Sequence, residues 1–190
     1  TGLPNRATWL EGAHAVLHAA QRHDDTMAVL FIDVDEFKAV NDTYGHDVGD
    51  TLLTTIAKRL SSCMREEDLL ARLGGDEFVA LLTRIERRRD AGAVAAKMLS
   101  VLSEPVEIGH RQLLPSVSVG IAFYPFDGTT IEQLLRSADA AMYLAKQAGR
   151  NAFRFRTEPP DLDALRTPER DEAAATPGDD GGLADEALKR

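Results

Sequence analysis

The run MAVLFIDV, residues 27–34, constrains the fold more than any other stretch of the chain. An almost unbroken apolar octet is the pattern of a strand buried on both faces, and such a strand needs packed layers above and below it. Two aspartates, Asp33 and Asp35, stand at its end. Aspartate is a poor strand former and costly to bury. Two of them separated by one residue point the same way. A cation would offset their repulsion, and Mg²⁺ is held by one or two carboxylates plus phosphate oxygens. Alone, the pair is read equally well as a strand end facing water.

Helix and strand patterns alternate around this octet. Asn5 is placed to cap a helix running to about His23, with Leu10, Ala13, Val16, Leu17 and Ala20 on its apolar face. Val48 to Met64 has Leu52, Leu53, Ile56 and Leu60 at helical spacing. Leu69–Leu73 and Phe78–Leu82 are short apolar runs around Gly74-Gly75-Asp76-Glu77, where two glycines supply a tight hairpin turn. A helix is expected from about Ala91 to Ser103. A second hairpin is expected from Val106–Ile108 into Ser116–Ala122. A helix over Ile131–Ala148 and a closing strand over Ala152–Phe155 complete the pattern. Interleaved helices with at least one hairpin predict an α+β fold, an α/β sandwich whose sheet is mixed or antiparallel with helices packed against it.

Charge divides the chain. From Thr157 onward there are ten acidic and four basic residues, a net of −6 out of the total of −9. That segment is rich in Pro, Gly, Asp and Ala, so residues 157–190 read as an acidic linker or disordered tail, with a short helix at most over Leu183–Leu188. Residues 1–156 are the expected folded domain. They carry 18 basic and 21 acidic residues, so nothing points to binding a nucleic-acid backbone. No apolar run approaches the roughly 20 residues of a membrane span. The opening Thr1-Gly2-Leu3-Pro4 has neither the charge nor the apolar stretch of a signal peptide, and it lacks a Met, as a fragment would. Cys63 is the only cysteine, which suits a reducing compartment; Ile56 and Met64 nearby suggest core packing.

Four further pieces carry candidate chemistry. If the hairpin lies beside the octet, Asp76 and Glu77 join Asp33 and Asp35 at one sheet edge, an expensive cluster unless it holds metal. Alone, the same four residues are a solvated turn. The segment Phe37-Lys38-Ala39-Val40-Asn41-Asp42, with Gly45-His46 and Gly49-Asp50 after it, combines glycines that admit a close ligand, a lysine for phosphate, and an amide and a carboxylate matching a guanine edge. It is otherwise a polar loop with Asp50 near a helix N-terminus. Lys146 and Gly149-Arg150-Asn151 are ordinary helix C-terminal chemistry. Arg65-Glu66-Glu67-Asp68 is a charged turn, or an arginine fork with an acceptor beside it. His14 and His18 have zinc-compatible spacing, and His23 is near, but no partner completes a site and a solvated face is the better reading.

Taken together, DVDEFKAVNDTYGHDVGD (33–50), RLGGDEF (72–78), SVGIA (118–122) and AMYLAKQAGRN (141–151) resemble the GGDEF-domain diguanylate cyclases, with TGLPNR (1–6) similar to that family's start. The resemblance covers about residues 1–156. It implies a palm-like nucleotidyl cyclase fold with a five-stranded sheet. It implies condensation of two GTP into cyclic di-GMP with Mg²⁺ or Mn²⁺ held by Asp33, the Val34 carbonyl and Asp76, with Asp35 supporting the metal site. Glu77 would assist deprotonation of the attacking hydroxyl. Asn41 and Asp50 would read guanine, Phe37 would lie under the nucleotide, and Lys38, Lys146 and Arg150 would hold the triphosphate. Arg65 and Asp68 stand at the offset of the family's inhibitory product site (I-site), with Arg84, Arg87, Arg88 or Arg89 as a possible further cation. The resemblance also implies a homodimer for turnover, a largely monomeric isolated fragment, a cytoplasmic domain, an upstream sensory domain and a downstream EAL domain. The alternative is a catalytically silent GTP- or cyclic di-GMP-binding module. No P-loop or dinucleotide fingerprint is present. The proposed metal chemistry requires positions 33 and 76 to meet around one ion.

Overall fold

A computed structural model describes residues 1–157; the tail from 158 onward, with the helix expected at Leu183–Leu188, lies outside the described residues. The apolar octet forms β1 (Met27–Val34), and all eight of its residues are buried. It is the middle strand of a five-stranded sheet ordered β2-β3-β1-β6-β7, where β2 is Leu69–Gly74, β3 Glu77–Leu82, β6 Val117–Tyr124 and β7 Ala152–Phe155. β1 runs antiparallel to β3 and β6, while β7 joins β6 in parallel. A parallel neighbour needs a crossover, and helix α5 (Ile131–Gln147) provides it. The sheet is therefore mixed, with helices on both faces.

The two-residue strand period divides β1 between two cores. Ala28, Leu30, Ile32 and Val34 pack with α3 (His46–Ser61) and α4 (Arg88–Leu102), through residues such as Leu52, Ile56, Ala95 and Met98. Met27, Val29 and Phe31 pack on the other face with α1 (Arg6–His23) and α5, against Trp9, Leu17, Leu134 and Ala138. Asn5 caps α1, its side chain accepting from Thr8 N at 3.1 Å. The buried face of α1 is turned from the expected one: Trp9 is 2% exposed, while Leu10 and Val16 sit at the rim. Gly120 in β6 lets α5 lie directly on the sheet, because a Cβ there would overlap the Ala138 carbonyl and the Met142 backbone nitrogen. Cys63 is buried, as its apolar neighbours suggested.

Two local expectations are corrected. Residues 37–44 are not a loop but a helix, α2 (Phe37–Tyr44), and α3 starts at His46 rather than Val48. Gly45, at φ 87°, joins the two and donates its N–H to Asn41 O at 2.8 Å. Asn-Asp-Thr-Tyr disfavours helix locally, and the burial of Phe37 against the α3/α4 core outweighs that preference. The second hairpin also differs. β4 (Val106–Ile108) pairs with β5 (Arg111–Leu113) in a separate two-stranded sheet, and β6 pairs with β1 and β7 instead. Apolar β6, buried along almost its whole length, gains more inside the main sheet than beside a short exposed ribbon.

Candidate active site at the end of the central strand

The site is assembled by the β2–β3 hairpin. Gly74 and Gly75 both take positive φ there, and the turn brings Glu77 opposite Asp33 in the β1–β3 ladder. Val34 N donates to Asp76 O at 3.2 Å, so the signature turn abuts the strand end. Positions 33 and 76, 43 residues apart in the chain, are neighbours.

Electrostatics follow from this crowding. Asp33 is 7% exposed, and its side chain lies on the α1/α5 face, where Lys146 Nζ from α5 approaches Oδ1 at 2.7 Å. Burial pushes the Asp33 carboxyl above its ordinary value; Lys146 opposes the shift, while Asp76 and Asp35 add to it. Glu77 is also raised, first by burial and then by the charges of Asp33, Asp76 and Asp139. Asp139 on α5 did not stand out in the sequence. Its position becomes visible only once α5 is laid over the sheet.

Oxygen donors crowded at one sheet edge are chemistry that suits a hard divalent cation. Among the described residues no three His, Cys, Asp or Glu side chains form a metal-holding group by themselves. The chemistry of a few clustered carboxylates suits an ion that completes its shell with substrate or water oxygens, as Mg²⁺ does. His14 instead pairs with Glu132 at 3.5 Å, bridging α1 and α5.

Asp35 adjoins this cluster, with both oxygens already engaged. Its Oδ1 accepts from Ser118 Oγ at 2.7 Å, and its Oδ2 accepts from Ser116 Oγ at 2.7 Å and Asn151 N at 3.1 Å. The two serines were not singled out in the sequence.

The nucleotide-reading candidates Phe37, Lys38, Asn41 and Asp50 stand on α2 and α3. Phe37 is buried at the start of α2, and Lys38 is exposed beside it. The first turn of α2 has no side-chain cap, and its Ala39 N–H donates to Glu36 O at 2.9 Å, so an anion would be met by the N–H groups before it. Asn41 Oδ1 is buried without a hydrogen-bond partner among the described residues. It lies against Gly49, where a Cβ would collide with it, and Asp50 is exposed on the next position of α3. Arg150 is exposed in the α5–β7 loop at φ 63°. A cavity of about 440 Å³ adjoins this region behind α2, lined by Asp35, Val40, Tyr44, Leu113, Ser116 and Arg150 among others, and it includes none of Asp33, Asp76, Asn41 or Asp50.

The Arg65–Asp68 turn lies elsewhere, before β2. Asp68 accepts from Arg65 N and Thr83 N, both at 3.0 Å, so both its oxygens are engaged by backbone. Arg65 itself is exposed.

Residues 1–152 match the family profile described as "Diguanylate cyclase, GGDEF domain". The chain is 46% identical over 155 residues to the bifunctional diguanylate cyclase/cyclic di-GMP phosphodiesterase MucR of Pseudomonas aeruginosa, covering 82% of this chain and 22% of MucR. It is 42% identical over 156 residues to diguanylate cyclase TpbB of the same species, covering 82% and 36%. The chain thus spans about a fifth to a third of these relatives. The crystal structure of the TpbB GGDEF domain superposes with a TM-score of 0.79 at 41% identity, covering 81% of this chain and 96% of that one. The GGDEF domain of DgcB from Caulobacter crescentus, solved in complex with c-di-GMP, gives 0.74 at 27% identity, covering 82% and 90%. The five-stranded mixed sheet is that of the palm-like nucleotidyl cyclases, and the chain belongs to the GGDEF-domain diguanylate cyclase family.

Proposed function

We propose that this domain condenses two GTP molecules into cyclic di-GMP and pyrophosphate. The observation that carries the reading is the meeting of Asp33 and the Asp76 turn at one sheet edge, beside the uncapped start of α2 and within reach of Lys146. Asp33, the Val34 carbonyl and Asp76 would hold a Mg²⁺ or Mn²⁺ ion. Such an ion neutralises charge on the α-phosphate and lowers the pKa of the attacking 3′-hydroxyl when bound.

The chain's own residues do the rest. Lys38, Lys146, Arg150 and the free α2 N–H groups hold the triphosphate. Asn41 and Asp50 read the guanine edge, with the orphan Asn41 Oδ1 gaining a donor from the base. Phe37 packs beneath the nucleotide. Glu77, with its raised proton affinity, takes the proton of the 3′-hydroxyl. The 3′-oxygen then bonds to the α-phosphorus of the second GTP, whose bond to the bridging oxygen breaks, and pyrophosphate leaves. Two domains, each with one GTP, must face each other, so dimerisation supplies the proximity. Partner domains drive it, an upstream sensor and an EAL phosphodiesterase domain, in keeping with MucR being named as both a diguanylate cyclase and a cyclic di-GMP phosphodiesterase. The isolated chain is largely monomeric and works in the cytoplasm. The product binds at Arg65 and Asp68, where Arg65 makes the contact and Asp68 holds the turn.

The test is incubation with GTP and Mg²⁺ at high protein concentration, followed by nucleotide separation. Cyclic di-GMP that disappears in Asp76→Ala is the expected result. A second reading has one observation in its favour: Lys146 Nζ lies 2.7 Å from Asp33 Oδ1 and supplies a counter-charge to one of the carboxylates. A relative 36% identical over 155 residues is named as cyclic di-GMP phosphodiesterase NbdA. GTP binding without turnover in a forced dimer would establish a regulatory module instead.

A further inference from the structure

Asp35 lies two residues beyond Asp33 and its charge bears on that carboxyl, but both of its oxygens are engaged by other donors. It is 8% exposed, and three donors from two other segments converge on it: the hydroxyls of Ser116 and Ser118 and the N–H of Asn151. Its own N–H donates to Ser116 O at 2.9 Å. The carboxylate therefore joins the end of β1 to the start of β6 and to the α5–β7 loop.

That loop has an unusual backbone. Gly149, Arg150 and Asn151 are consecutive residues with φ of 114°, 63° and 44°. Two non-glycine residues in succession on the left-handed side persist only where the surroundings hold them. On one side Arg150 N donates to Ala145 O at 3.1 Å, closing the end of α5. On the other side, Asn151 N donates to Asp35 Oδ2 at 3.1 Å, while the Asn151 side-chain oxygen accepts a longer bond from Ser103 Oγ at 3.4 Å. The exposed guanidinium of Arg150 is carried between these two anchors.

We infer that Asp35 is a positioning residue for Arg150 rather than a support for the metal. The carboxylate fixes the left-handed turn, and the turn presents Arg150 to the triphosphate. This inference rests on the proposal that Arg150 holds that group.

The hydrogen-bond inventory makes the two roles separable. One asparagine oxygen can replace Oδ2 and still accept from Asn151 N, while its NH₂ donates to Ser118, whose hydroxyl can rotate to accept. A clamp therefore tolerates Asp35→Asn, whereas a charge that serves a metal does not. Binding of a non-hydrolysable GTP analogue is measured by fluorescence titration with the full chain, in Mg²⁺ and again in EDTA. Asp35→Ala is expected to weaken binding about tenfold in both buffers, as one lost charge-assisted contact would. Asp35→Asn recovers most of that loss. Asp35→Ala adds less than about twofold on top of Arg150→Ala, because the two act through one contact. Hydrogen exchange at the Asn151 amide is expected to accelerate in Asp35→Ala and stay slow in Asp35→Asn.

Asp35→Asn as damaging as Asp35→Ala, loss confined to Mg²⁺ buffer, or losses that multiply in the double variant would each overturn the inference. Should Asp35→Ala not fold, Asp35→Asn decides alone: affinity near that of the parent in both buffers supports the clamp, and loss in Mg²⁺ only overturns it. If Arg150→Ala leaves affinity unchanged while Asn151 exchange still accelerates in Asp35→Ala, the failure belongs to the triphosphate role of Arg150. The positioning role then falls with it, although the clamp stands.

Discussion

Lys146 Nζ lies 2.7 Å from Asp33 Oδ1, joining the last turn of α5 to the end of β1 across the α1/α5 face of the sheet. The ammonium is a counter-charge that opposes the upward push of burial on this carboxyl. Lys146→Met should lower stability in metal-free buffer by about 1–2 kcal/mol, below the figure for a fully buried pair because Lys146 is 31% exposed. Adding Asp33→Asn should restore most of it. Urea unfolding of the two variants and their double measures the coupling; additive losses would show that the pair is unimportant.

Glu77 gives a pH signature. Its carboxyl is raised from an ordinary 4.5 in the fold, so the folded state binds this proton more tightly than the unfolded chain. The resulting penalty is absent below the ordinary value and grows as pH rises through the folded one. Glu77→Gln should therefore be more stable than the parent at neutral pH, and the advantage should fade as pH falls through the glutamate range. Thermal melts across that range check the sign.

Gly49 gives way to the Asn41 amide. Gly49→Ala should displace that amide and cost about 1–3 kcal/mol of stability by overpacking. GTP affinity should fall about tenfold, with less loss for ATP, which the amide does not select. Parallel titrations with the two nucleotides test it.

Added Mg²⁺ should raise the melting temperature of the parent and not that of Asp76→Ala. At about 100 times the dissociation constant the gain is about 2.7 kcal/mol. Equal stabilisation of both would place the ion elsewhere.

The Arg65–Asp68 turn separates binding from structure. Arg65→Ala should weaken cyclic di-GMP binding, spare GTP binding and leave stability unchanged. Asp68→Ala should in addition cost about 1–2 kcal/mol, because two backbone N–H groups lose their acceptor. Calorimetry with each nucleotide and a thermal melt distinguish the two variants.

Much of this molecule could be read without coordinates. Local physics carried β1, whose nearly unbroken apolar run is the pattern of a strand buried on both faces, and the helices α1, α4 and α5, whose apolar residues recur at helical spacing, although the buried face of α1 is turned towards Trp9. The Gly-Gly turn was legible because two glycines between apolar runs leave a hairpin as the economical path. What escaped was decided by partners distant in the chain. Residues 37–44 carry turn formers and become helix only because Phe37 has a core to enter. β6 could have continued a hairpin with β4, but the strand with the larger apolar surface takes the larger sheet. The sequence alone supplied the inventory: a buried strand ending in aspartates, an acidic turn, and a lysine and an arginine at the end of a late helix. Only the tertiary structure decided that Lys146 neutralises Asp33 while Asp35 grips the loop carrying Arg150. Side-chain periodicity tells which face a residue occupies, but not which distant segment will be packed against it.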